Sequence, residues 1–223
     1  MTKPSIGVLS GGRTPPALRA AYRRPDYPPR LSAPLLVLYA LALALLGGFG
    51  SLYWAVSGDY PLGKVRAGPW TAVPRVGSRE VDPYARAMLA RTGEIPLAAG
   101  EGLSLSASED DAGRPLDARC AYRLGSVAPP ARFWTVTLYD ADGRPASSDL
   151  NRNGFTSAEV LRDAEGGYTI LIGPEAMAGN WLQTPQRGRV ALTLRLYDTP
   201  VAAGPAPLNR REVPAIERLE CLP

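Results

Sequence analysis

From Pro34 to Val56 the chain reads PLLVLYALALALLGGFGSLYWAV, an apolar run without a single charged residue. At a rise of ~1.5 Å per residue, such a run forms a helix long enough to cross a hydrocarbon core of ~30 Å. No other stretch of the chain approaches it in length. The pattern predicts a disordered basic Pro-rich tail over 1–33, one transmembrane helix over 34–56, a Pro- and Gly-broken linker over 57–79 and one folded domain over 80–223.

Past the span the period of the apolar positions changes twice. Asp82 suits an N-cap, Pro83 the first helical position and Gly93 a left-handed stop, so a short helix is predicted over Pro83 to Thr92. After it the period becomes two. Leu103, Leu105 and Ala107 alternate with Ser104 and Ser106, and Cys120 to Leu124 forms a second predicted strand. Phe133 to Tyr139 is stronger, with Trp134, Val136 and Leu138 on one face and Phe133, Thr135, Thr137 and Tyr139 on the other. Tyr168 to Ile172 and Val190 to Tyr197 repeat the pattern, the latter with Val190, Leu192, Leu194 and Leu196 inward. Short alternating strands bounded by Gly, Asp and Pro turns predict a mainly β fold, an antiparallel, jelly-roll-like β-sandwich with one short helix. Trp70, isolated in the linker, is expected to pack onto that domain.

Charge sets the direction of the span. The net charge is +4, and the tail alone supplies +5, from Lys3, Arg13, Arg19, Arg23, Arg24 and Arg30 against Asp26. The remainder is near neutral and lacks the basic footprint of a nucleic-acid binder. A basic flank before the span places the N-terminus in the cytoplasm and the domain outside it, which in a bacterium means an inner-membrane anchor and a periplasmic domain. A cleaved signal peptide competes with this reading, since Ala55-Val56-Ser57 resembles a small-x-small cleavage site; the long apolar core and the long stretch before it favour an uncleaved anchor. Ala40, Ala44 and Gly48 recur every fourth residue along the span, a stripe on which two helices could associate.

Composition then removes whole classes of chemistry. With no histidine, a His-based triad, a His-ligated zinc and the usual neutral-pH proton shuttle are excluded. The two cysteines, Cys120 and Cys221, permit one intramolecular disulfide outside the cytoplasm; the alternative is two buried thiols. Asp149 to Gly154 matches the opening of a calcium loop, yet position 12 is Val160 where a bidentate Glu belongs, so an Asn-Gly turn is the better reading. No metal or cofactor is expected. The remaining acids concentrate at Glu109 to Asp111, Asp140 to Asp142 and Asp163 to Glu165, where solvated turns are expected. Tyr139, Arg195 and Tyr197, with Asn180 and Trp181, are the candidates for a binding face, because aromatic rings and guanidinium groups offer area and directed donors.

Several of these runs occur together in a fixed order: Asp82-Pro83-Tyr84-Ala85-Arg86, Glu101-Gly102-Leu103, Gly113-Arg114-Pro115-Leu116-Asp117, Phe133 to Asp140, Gly179-Asn180-Trp181-Leu182 and Leu194-Arg195-Leu196-Tyr197. In them the chain resembles the bacterial family called domain of unknown function 1214, over about residues 80 to 221. The resemblance implies a β-sandwich in a bacterial membrane setting and a companion domain, 1254, in the same chain or in a separate partner protein. The linker before Ser78 is too short to hold that domain. No activity is implied. The expected function is therefore a membrane-tethered module that binds a partner protein or envelope component, with a carboxylate-dependent hydrolase of an envelope glycan as the alternative.

Overall fold

A computed structural model describes residues 32–57, 64–73, 76–92, 95–98, 100–125, 129–146, 148–200 and 209–222. The basic tail and the Gly93 stop lie outside these residues. The chain divides into two units, residues 1–49 and 50–223.

The apolar run is a helix, α1, over Ala33–Val56, with a mean hydropathy of 2.2. Its large side chains, among them Leu38, Leu46 and Phe49, are exposed. A core helix of a soluble protein would hide them. Its length and composition therefore make it a candidate membrane span.

The second helix, α2, covers Pro83–Thr92, as the capping residues predict. Asp82 Oδ1 accepts from the Tyr84 amide at 2.8 Å, and the Asp82 carbonyl accepts the first helical bond from Arg86. Asp82 is thus the N-cap in fact as well as in sequence.

Ten strands make up the rest: β1 Val65–Ala67, β2 Trp70–Ala72, β3 Gly102–Ala107, β4 Cys120–Gly125, β5 Phe133–Asp140, β6 Gly154–Thr156, β7 Thr169–Gly173, β8 Asn180–Gln183, β9 Val190–Tyr197 and β10 Ala215–Cys221. They form a six-stranded sheet in the order β1-β2-β3-β9-β5-β6 and a four-stranded sheet in the order β10-β4-β7-β8. One apolar core takes side chains from both sheets. Leu105, Trp134, Val136, Leu138, Leu192 and Leu194 come from the first, and Tyr122, Leu124, Ile170, Ile172, Leu182 and Ile216 from the second. The period-two reading holds residue by residue from Phe133 to Tyr139 in β5 and along the whole of β9, with buried and half-buried positions alternating.

Three expectations need correcting. Antiparallel pairing fails at one place, where β8 runs parallel to β7 with Leu171 opposite Trp181. The linker is not only a linker: residues 65–72 form a hairpin that extends the six-stranded sheet through β3. Trp70 in that hairpin is fully buried, as expected, and its indole Nε1 donates to the Pro214 carbonyl at 2.8 Å. The acidic turns are not uniformly solvated, because the Asp110 side chain is only 1% exposed.

The sheet edges are managed by side chains. At the β8 edge Asn180 is buried, and its amide does the work of a further strand. Its Oδ1 accepts from the Leu161 amide at 2.7 Å, while its Nδ2 donates to the carbonyls of Leu161 and Thr169 at 2.9 Å each. All the hydrogen-bonding capacity of an Asn amide except one oxygen lone pair is used.

Candidate binding face

β5 and β9 pair along their whole length, Phe133 opposite Tyr197 through Asp140 opposite Val190. Because alternate residues point to opposite faces, burial of the even-numbered positions of both strands turns Phe133, Thr135, Thr137 and Tyr139 outward, together with Thr193, Arg195 and Tyr197. The registers of the neighbouring strands extend this into rows that cross the sheet. One row runs Arg66, Thr71, Ser106, Thr193, Thr137, Gly154 over all six strands, and the next runs Ser104, Arg195, Thr135, Thr156. Seven of the ten positions in the two rows are Ser or Thr, with short hydroxyl side chains. Among the described residues the hydroxyls of Thr71, Ser104, Ser106, Thr135, Thr137 and Thr193 make no hydrogen bond within the chain.

Rings and guanidinium groups frame these hydroxyls. Phe133 and Tyr197 stand opposite each other with ring centroids 5.7 Å apart. Arg195 donates through Nη2 to the Tyr139 hydroxyl at 3.1 Å, and its guanidinium lies 6.0 Å from the Tyr139 ring centre. That reach along the strand lays the Arg195 side chain past the Thr137–Thr193 pair. At the β6 side the face opens into a groove of 390 Å³ lined by residues that include Thr135, Thr137, Arg152, Thr156 and Glu159. Gly154 makes the groove possible: a Cβ there would sit 2.6 Å from the Val136 carbonyl oxygen, so any larger residue would push β6 off β5. The Arg152 guanidinium stacks 5.0 Å from the Phe155 ring centre. Neither Arg152 nor Arg195 has a carboxylate partner among the described residues. Glu159 Oε2 is occupied by the Thr156 amide at 3.0 Å.

The five candidates therefore divide. Tyr139, Arg195 and Tyr197 come together on the outer face of the six-stranded sheet. Asn180 and Trp181 belong to the other sheet and do not join them. Asn180 is the buried edge-closing residue described above, and Trp181 is half-buried with its Nε1 donating to the Gly173 carbonyl at 3.1 Å. Ala40, Ala44 and Gly48 lie on one stripe of α1 and are exposed. What sequence reasoning missed was the hydroxyl rows. The alternation assigned Thr135 and Thr137 to the face, but the strands that complete the rows were read as linker or turn.

Elsewhere the polar residues serve the fold. Three turns share one device, an Asp whose Oδ1 accepts from the amide four residues on, at 2.9, 2.9 and 2.5 Å for Asp110, Asp140 and Asp163. Gly113, Gly143 and Gly166 take the left-handed position in each, with φ of 74°, 74° and 82°. Asp110 is additionally paired with Arg114 at 2.8 Å and with Arg218 at 3.2 Å. Burial works to raise its carboxyl, but hydrogen bonds from the amide and guanidinium of Arg114, with the amide of Ala112, outweigh that and hold it below the usual aspartate range. Next to it Asp111 takes the Ile216 amide at 2.7 Å and Arg210 at 2.5 Å. Asp149 of the calcium-like stretch exchanges hydrogen bonds with Gln183. Cys120 and Cys221, opposite each other in register, form the disulfide.

Comparison with known proteins gives a likeness of fold and a family match over part of the chain, without an activity. The VPA0106 protein from Vibrio parahaemolyticus is similar at 21% identity with a TM-score of 0.54, over 87% of this chain and 47% of its own. An uncharacterised protein from Burkholderia cenocepacia matches at 17% identity with a TM-score of 0.38, over 81% of this chain and 52% of its own. This chain thus spans about half the length of the solved structures it matches. No curated protein matches it. Residues 101–201, which run from just before β3 through β9, match the family described as Protein of unknown function (DUF1214), a match over somewhat less than half of the chain.

Proposed function

We propose that this protein is a membrane-anchored, extracytoplasmic, jelly-roll-like β-sandwich, with its N-terminus in the cytoplasm, that binds another component of the bacterial envelope without catalysing a reaction. The observation that carries the reading is the outer face of the six-stranded sheet, where Tyr139, Arg195 and Tyr197 stand beside hydroxyls that have no partner among the described residues. An exposed apolar helix supports the anchor, and a disulfide supports an oxidising compartment. An envelope polymer and a companion protein carrying domain 1254 both fit this statement.

The hydrolase alternative needs two carboxyl groups converging on one cleft. The β6-side groove is lined by one acid, Glu159, and a second groove of 250 Å³ beside β7 and β8 is lined by one, Asp163. Each of those carboxylates is engaged by a backbone amide of its own turn. A photo-crosslinking residue placed at Tyr197 tests the proposal in native membranes, with the same residue at Trp181, on the other sheet, as the control. Adducts from position 197 and none from 181 are expected. Adducts from neither, or equally from both, would remove the assignment of this face.

A further inference from the structure

We infer that the ligand of this face is an acidic polysaccharide strand, an inference that rests on the face being a binding surface at all. The argument is one of complementarity. A sugar ring presents three things: equatorial hydroxyls, an apolar patch of C–H groups and, in an acidic polymer, a carboxylate. The face offers a counterpart to each. The row through Ser106, Thr193 and Thr137 sets hydroxyls side by side at the ~4.8 Å spacing of adjacent strands, each able to donate and accept. The Phe133–Tyr197 pair, next to the Thr135–Arg195 row on the same face, supplies aromatic surface for the C–H patch. Arg195 lies across the hydroxyls, held by Tyr139 and by no acid, and Arg152 borders the adjoining groove in the same state among the described residues. A guanidinium across the hydroxyl rows and a second at the border of the groove, both without an acidic partner among the described residues, are complementary to an anionic polyol. An acidic peptide would match the arginines but would leave the hydroxyl rows without a use.

The test uses the full chain in detergent micelles and isothermal titration calorimetry with three probes: polygalacturonate, neutral dextran and poly-L-glutamate. Polygalacturonate is expected to bind, more weakly as salt is raised, and the other two to give no heat. Arg195→Met should weaken binding about tenfold, the loss of one charge-assisted contact. Thr137→Val, which keeps the shape and suits a strand, should weaken it measurably while leaving the thermal midpoint in place. Dextran binding as tightly as polygalacturonate, poly-L-glutamate binding as tightly, or no binding of any probe would each overturn the inference. Crosslinking from Tyr197 reads independently of all three, so failure of the polysaccharide and failure of the face are told apart.

Discussion

Asp110 and Asp140 each open the pattern Asp-x-x-Gly-Arg-Pro, and each closes its turn with the same amide hydrogen bond. Their surroundings then diverge. Asp140 is left half-exposed, whereas β10 brings Arg218 over Asp110 and its side chain becomes inaccessible. Replacing one partner of a buried charge pair leaves the other uncompensated, so Asp110→Asn should destabilise the domain by about 3 kcal/mol at neutral pH, read from urea midpoints. The Asp110 carboxyl is held below its ordinary value of 3.8, so its contribution is complete above that pH and is lost as pH falls below it. The acid limb of the wild-type stability curve should therefore be steeper than that of Asp110→Asn. The local pattern announces both turns, but nothing near residue 110 says that residue 218 will fold over it. Asn180 teaches the converse: with Leu182 it lies on the buried side of β8, where its amide closes the sheet edge and faces no ligand surface.

At the scale of elements, legibility follows length and alternation. β5 and β9, eight residues each with one buried face, are plain in the sequence, while β1, β2 and β6 have three residues apiece and too little alternation to register. β10 is hidden for another reason. Its sequence AIERLEC is rich in helix formers, and as an edge strand it buries little beyond Ile216. Its pairing with β4 is reinforced by Arg123–Glu217 at 2.9 Å and by the Asp111–Ile216 bonds, and the disulfide fastens its far end. Closing a loop of 101 residues contributes up to about 4.7 kcal/mol in the chain-entropy picture. The double substitution Cys120→Ser with Cys221→Ser should lower stability by about that amount, with the loss mirrored by protease cleavage within residues 209–222 before the rest of the domain is attacked. Equal stability of the reduced and oxidised chains would show that the side-chain clamps alone secure β10.

For the whole molecule, the fold comes down to two sheets around one core, and the family match lies in residues 101–201. The orientation we propose makes a direct prediction, because the chain has two lysines, Lys3 before the apolar helix and Lys64 after it. A membrane-impermeant amine reagent should label Lys64 in intact spheroplasts and reach Lys3 only after lysis; labelling of Lys3 first would reverse the orientation. The disulfide also imposes an order in time. A chain made from its N-terminus releases Cys120 well before Cys221, and β5 through β9 must all be laid down between them. Throughout that interval the four-stranded sheet has β4 for an open border and a lone thiol waiting on it. The bond is thus a timestamp, present only on molecules in which β10 has reached its place.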